Sequence, residues 1–283
     1  KFKFRKIYVI TFAFRQLNLL TMLFFPNAKI NIGLNITSKR SDNYHNLESV
    51  FYPIDWRDIL EIVPSNKMVF ETSGISIPGK TNLCLKAYEI LKKKYSIPPV
   101  FIHLHKNIPV GAGLGGGSSN AAFTLLALNI IFDLGINKSE LKKLAIQLGA
   151  DCPFFIDNIP SYAIGIGEIL KPVKINLSNH YLLVVKPNIS ISTEKAFNYI
   201  IPKKPKFSLL NEINKPIEKW NIKNDFENHT FTKNPELLEI KRSLIKAGAK
   251  YTSMSGSGSS IYGIFSAKPE IFFKNCQIFH QAL

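Results

Sequence analysis

An α+β fold in two domains is predicted by three features of this sequence. Segments that alternate apolar and polar residues are interspersed, in mixed order, with segments that carry an apolar stripe at helical spacing. With 283 residues, 46% of them hydrophobic, the chain is long enough to bury a substantial core, and two domains of ordinary size fit its length. Near residue 175 the pattern changes to a strand, short helical segments and a polar Lys/Asn/Pro-rich stretch reaching about residue 235. The expected boundaries are 1–21 for an extension outside the fold, 22–175 for a first domain and 176–283 for a second.

From Ala28 to Thr37 the sequence AKINIGLNIT alternates strictly, which predicts a half-buried strand with Lys29, Asn31, Gly33, Asn35 and Thr37 on its polar face. SKRSDNYHNLES reads as a polar turn region, followed by strand-like runs at VFYPID and DILEIV. NLCLKAYEILKKKY has an apolar stripe through Leu83, Leu85, Ala87, Ile90 and Leu91 and a basic end suited to a helix C-terminus. VFIHLH alternates as a strand, and SSNAAFTLLALNIIFD is apolar nearly all round, which predicts a buried helix closed by Gly135. A second helix is expected from Asn137 or Ser139 to Gly149, with ADCPFFI directly after it. Beyond residue 175, HYLLVVKP reads as a strand, Ser192 or Thr193 opens a short helix, ELLEIKRSLIKAG forms a longer one, and SMSGSGSSIYGIFS closes the series.

The net charge of +16 invites an anionic partner, whether nucleic acid, membrane or phosphorylated small molecule. Five of the basic residues lie in 1–21, and the others are spread without a long run or an aromatic RNA-binding motif, which disfavours nucleic acid. The three cysteines show no metal-ligand spacing, and they favour a reducing compartment. KFKFRKIYVITFAFRQLNLLTM resembles an export signal at its start, but Arg15 and Gln16 interrupt the apolar centre and no small-x-small site follows. Met22 is therefore expected as the functional start.

The stretch PVGAGLGGGSSNAA, residues 109–122, is the densest motif in the chain. Formally it contains Gly111-x-Gly113-x-x-Gly116, a dinucleotide fingerprint. That fingerprint requires an acid about 20 residues on at the end of a second strand, whereas Asp133 lies at the end of the predicted helix. A Walker A loop is excluded because no Gly-Lys-Ser/Thr follows. What remains is a strand, a glycine-rich loop and a helix, in which Gly113, Gly115, Gly116 and Gly117 admit a ligand close to the backbone. Ser118 and Ser119 then open a helix whose free N–H groups and dipole attract anions.

Pro-x-x-x-Gly-Leu followed by Ser-Ser-x-Ala resembles the signature of the GHMP kinase superfamily, which includes galactokinases and homoserine, mevalonate and phosphomevalonate kinases. AKINIGLNI, YHNLESVF and GADCPFF fall in the order that this superfamily shows, and the resemblance runs from about residue 24 to the end. It implies a ribosomal-protein-like N-terminal domain that binds ATP and a ferredoxin-like C-terminal domain. The implied activity is transfer of the ATP γ-phosphoryl group, with Mg2+ carried by the nucleotide, to a hydroxyl of a small molecule.

The form GLGGGSSNAA with Tyr44 and His45 resembles a branch whose acceptor carries a cytidyl diphosphate; homoserine- or mevalonate-type acceptors are the alternative. By the resemblance, Asp151 takes or orients the hydroxyl proton beside Lys29. The same resemblance implies that Pro109, Gly111, Gly113, Leu114, Gly115, Gly116, Gly117, Ser118 and Ser119 hold ATP. It implies likewise that Asn31, Tyr44, His45, Thr193 and Phe197 hold the acceptor, with Tyr44 and Phe197 stacking on the base. SGSGSS at 255–260 resembles a second glycine loop near the phosphates. Where the family commonly has Asp-Gly-Tyr-His this chain has Asp42-Asn43-Tyr44-His45, and Asn tolerates the positive φ such a turn requires. A basic RNA-binding module is the competing class, since the charge fits; it needs neither the glycine loop nor Asp151. The expected protein is cytoplasmic, a monomer or weak homodimer, with no nucleic-acid or membrane partner and no resident metal.

Overall fold

A computed structural model describes residues 10–13, 20–79 and 81–283. Its first elements are β1 (Ile10–Ala13), β2 (Leu20–Phe24), β3 (Asn27–Lys39), β4 (His45–Arg57), β5 (Ile59–Pro64), β6 (Val69–Gly74), α1 (Leu83–Tyr95) and β7 (Val100–Lys106). Then come α2 (Gly116–Ile131), α3 (Lys138–Ala145), α4 (Cys152–Asp157), β8 (Ser161–Gly165), β9 (Ile169–Pro172) and β10 (Tyr181–Pro187). The chain continues with α5 (Thr193–Phe197), α6 (Leu209–Ile213), α7 (Glu227–Lys233), α8 (Pro235–Lys246), β11 (Tyr251–Met254), β12 (Ile261–Phe265) and β13 (Cys276–Ala282). Contacts divide the chain into a first unit of residues 1–28, 55–110 and 115–159 and a second of residues 29–54, 111–114 and 160–283.

The first unit holds a sheet in the order β1-β2-β5-β7-β6, antiparallel except for the parallel pair β6–β7. α2 packs against α1 and α4 and is buried from Ser119 through Leu128, because its sequence offers no polar face to water. Asn82 caps α1 by accepting the Cys84 N–H, and Asn137 caps α3 by accepting that of Glu140, two ends marked by their Asn side chains. α2 ends at Ile131 rather than at Gly135: Asp133 already takes a left-handed conformation (φ 46°) and breaks the ladder two residues earlier. Of the stretch 1–21, expected as an extension outside the fold, residues 10–13 instead pair with Leu20–Leu23 as the sheet's edge, and 1–9 and 14–19 lie outside the described residues.

The second unit has two sheets. In one, ordered β3-β4-β8-β9, β4 begins at His45, so the turn region is only 40–44, and residues 45–49, polar except for Leu47, are strand. Their polarity is matched by partners: Glu48 accepts from Asn35 Nδ2 and Tyr162 Oη. The other sheet is antiparallel in the order β11-β12-β10-β13, which is the ferredoxin-like arrangement, although residues 266–275 between β12 and β13 form no helix. α8 covers this sheet, with Leu237, Ile240 and Leu244 meeting Leu183, Val185, Met254 and Ile261 in one core. Residues 223–225 run beside β3, bonded through Leu34 N to Lys223 O and Asp225 N to Leu34 O.

Candidate functional site

The alternation that made β3 a strand also decides which side chains converge. Lys29 and Asn31 share its polar face, but that face is buried in its first half, with Lys29 3% and Asn31 2% exposed, which corrects the expectation of a half-buried strand there, while Asn35 and Thr37 are partly exposed. Buried polar groups require partners. Lys29 Nζ donates to Asn31 Oδ1 at 2.5 Å and lies 4.7 Å from the Phe51 ring centroid. Asn31 Nδ2 donates to Ser49 Oγ (2.9 Å), which donates to Gly33 O (2.6 Å). Tyr262 Oη donates to Asn31 O, and Asn31 N donates to Ser255 Oγ. The Asn31 amide is thus fixed at both its ends, and its orientation follows from the network: oxygen toward the ammonium, nitrogen toward the hydroxyl.

Ser255 opens the second glycine turn and joins it to the first loop. Its Oγ donates to Gly113 O at 2.8 Å, and Ser260 N donates to Ala112 O. Gly113 has φ +73°, and a Cβ there would stand 1.9 Å from Ser255 O, so no other residue fits. The glycine at this position is required by the neighbouring backbone, a packing reason that the sequence assigned to a ligand. Asn224, buried, donates its two Nδ2 protons to Met254 O and Gly256 O and so ties down both neighbours of Ser255.

The later half of the loop belongs to the first unit. Gly115, at φ 69°, is the N-cap of α2 and brings no side-chain cap, and the first turn carries no acid. Its leading N–H groups are therefore available to an anion. Gly117 is exposed, and a Cβ there would meet only Leu83 Cδ1, at 3.8 Å, among the described residues, so this glycine leaves room for a ligand. Ser119 Oγ is fully buried and has no hydrogen-bond partner among the described residues. Asp151, half-buried, stands immediately before α4 and makes no side-chain cap bond to it. Burial pushes the neighbouring Cys152 thiol up to about 12, so it is not a thiolate nucleophile.

On the second unit, Asn43 takes φ 67°, as expected of the residue that replaces glycine in the turn. The turn closes by Arg40 N donating to Tyr44 O, and Asp42 Oδ1 accepts the Tyr44 N–H. Tyr44 is 60% exposed. His45 and Phe197 come together, stacked with centroids 5.2 Å apart at 19°, and Phe197 is braced edge-on by Phe226. Thr193 Oγ1 lies 2.8 Å from Ser257 Oγ, linking α5 to the second glycine turn. Pro109 and Leu114 are buried and Gly111 is exposed with φ 63°. Ser49, Asn224 and Tyr262 were missed by sequence reasoning, because each acts through contacts made across distant parts of the chain.

Two family models match the chain: one described as GHMP kinases N terminal domain at residues 82–158, the other as GHMP kinases C terminal at residues 208–279. A 4-diphosphocytidyl-2-C-methyl-D-erythritol kinase of Cytophaga hutchinsonii is 46% identical over 259 residues, 90% of this chain and 96% of its own. A protein of the same name from Bacteroides fragilis is 50% identical over 258 residues, 88% of this chain and 94% of its own. Among solved structures, a crystal structure of 4-(cytidine 5'-diphospho)-2C-methyl-D-erythritol kinase matches with TM-score 0.74 at 32% identity, covering 86% of this chain and 89% of that one.

Proposed function

Since the chain belongs to the GHMP kinases, we propose that it transfers the γ-phosphoryl group of ATP to the 2-hydroxyl of 4-diphosphocytidyl-2-C-methyl-D-erythritol. The products are the 2-phosphate and ADP, and the reaction belongs to the non-mevalonate route to isoprenoid precursors. The observation that carries this reading is the match, over about nine tenths of the chain, to kinases of that name.

Phosphoryl transfer needs positioning and charge neutralisation more than covalent chemistry from the protein. The first-turn N–H groups of α2, with Gly115 to Ser119, bind the ATP phosphates, and Pro109, Gly111, Gly113 and Leu114 shape the loop that leads to them. The orphaned Ser119 hydroxyl fits a nucleotide bound there with its Mg2+, since a buried polar group without a partner is costly. Mg2+ bound to the nucleotide offsets the phosphate charge. Lys29, oriented by Asn31, stabilises negative charge on the transferring group, and Asp151 receives the hydroxyl proton. Tyr44 and Phe197 stack on the cytosine, His45 hydrogen-bonds it, and Asn31 and Thr193 hold the acceptor.

No helix among the described residues is long and apolar enough to cross a membrane. The protein acts in the cytoplasm as a monomer or weak homodimer on these two small molecules. ADP release from MgATP with a panel of 4-diphosphocytidyl-2-C-methyl-D-erythritol, homoserine and mevalonate tests the reading. Turnover is expected with the cytidyl compound alone, and preference for either of the others overturns it.

A further inference from the structure

A carboxylate that the reaction does not use is buried at the foot of the glycine loop. Asp58, between β4 and β5, is 0% exposed. Its Oδ1 accepts the backbone N–H groups of Asn107 and Ile108, each at 2.8 Å. Its Oδ2 accepts from Lys106 Nζ at 2.5 Å and from Asn120 Nδ2 at 2.8 Å. Lys106 and Asn120 are themselves buried. Four donors on one buried carboxylate leave it satisfied, which removes the usual cost of a lone interior charge.

The positions of those donors in the chain give the cluster its meaning. Lys106, Asn107 and Ile108 are the last residues before the loop that starts at Pro109, and Asn120 lies in α2, just after the loop ends at Gly115. One side chain therefore clamps both ends of a segment whose glycines would otherwise leave it conformationally free. Lys106 also reaches the helix start: a Cβ on Gly116 would stand 2.9 Å from Lys106 Nζ and 3.0 Å from Ile108 Cγ2. The ammonium thus rests against the first residue of α2, where Gly116 leaves space for it.

We propose that Asp58, Lys106 and Asn120 are positioning residues for ATP: they fix the two ends of the glycine loop so that the first turn of α2 is preset for the phosphates. None of the three touches the reacting atoms. The inference rests on the reading of the loop as the ATP site, and it assigns to these residues the nucleotide's affinity and not the acceptor's. Sequence alone gave no hint of it, since Asp58 heads an apolar strand and Lys106 ends one.

The test is ATP affinity by calorimetry, with KM for ATP and for the cytidyl acceptor, on the wild type and on Asn120→Ala, Lys106→Met and Lys106→Gln. Asn120→Ala removes one donor from Asp58 without leaving a charge unpaired. It should weaken ATP binding about tenfold while KM for the acceptor stays within about twofold. Lys106→Met should do the same or more, and Lys106→Gln, which keeps a donor for Asp58, should recover most of the loss. Should Lys106→Met fail to fold, Asn120→Ala and Lys106→Gln still decide. Variants that melt lower but bind ATP as the wild type does would show a purely structural cluster and overturn the proposal. A wild type that binds no ATP would overturn the reading of the loop itself, a result distinct from the first.

Discussion

Lys29 Nζ and Asn31 Oδ1 are joined by a 2.5 Å hydrogen bond in the buried face of β3, and the other end of the Asn31 amide is held by Ser49 Oγ. The ammonium is thereby aimed through two further side chains, Asn31 and Ser49, and not by its own stem alone, which has several rotatable bonds. Ser49→Ala cuts this series of contacts at its anchor on Gly33 O. The expected result is a kcat about tenfold lower with a stability loss of about 1–3 kcal/mol. Lys29→Met should cost more, about 100-fold or above, since it removes the charge itself. Steady-state kinetics beside a urea melt separate the two contributions, and an unchanged kcat in Lys29→Met would contradict the assigned role.

Asp151→Asn keeps the shape of the residue before α4 and removes its capacity to take a proton. A fall in kcat of about 100- to 10,000-fold is expected with KM for ATP little changed. Activity close to that of the wild type would remove Asp151 from the mechanism.

Tyr44 is the cleanest probe of base recognition because it is mostly exposed, so Tyr44→Ala leaves the core intact. Loss of one stacked ring should raise KM for the cytidyl substrate by the equivalent of about 1–3 kcal/mol and leave KM for ATP unchanged. Equal effects on both substrates would refute the role. His45 adds a pH signature: burial, with a smaller contribution from Lys39, holds its pKa below the ordinary histidine value. The imidazole is then neutral at pH 7 and protonates only on acidification below that ordinary range. KM for the cytidyl substrate should therefore stay level down to that point and rise beneath it, a rise that His45→Gln abolishes.

Gly113 and Gly117 should respond oppositely to alanine. At Gly113 the positive φ and the Ser255 carbonyl at 1.9 Å from a Cβ predict a destabilised, weakly active protein. At Gly117, inside α2, where a Cβ would make an ordinary van der Waals contact with Leu83 at 3.8 Å, alanine should keep or raise stability by about 0.5–1 kcal/mol through helix propensity and weaken only ATP binding. Thermal melts of both variants check this, and a Gly113→Ala protein as stable as the wild type would be the contrary result.

How far this architecture was legible in the sequence follows from which signals are local. α1 and α3 carry Asn caps and periodic stripes within a few residues, and β3 and β7 alternate within their own length, so these elements stood out. The first half of β4 did not, since Asn46 and Glu48 read as turn residues until their cross-strand partners are seen. β6, mostly exposed, is fixed by its parallel pairing with β7, which no short-range pattern announces. The same divide runs through the candidate site. Lys29 and Asn31 are two residues apart, and their shared face was readable, whereas the Ser255–Gly113 bond spans 142 residues of chain. Asp58 shows the limit most sharply: nothing beside it in the sequence tells that its carboxylate is buried among donors from positions 106, 107, 108 and 120.

The central claim is transfer of one phosphoryl group to one hydroxyl, and phosphorus NMR of the product of MgATP and 4-diphosphocytidyl-2-C-methyl-D-erythritol reads it directly. The account predicts a new phosphomonoester resonance attached at carbon 2 with the cytidyl diphosphate resonances retained, in equal amount to the ADP formed. ADP and inorganic phosphate without a new ester, or an ester at another hydroxyl, would contradict it.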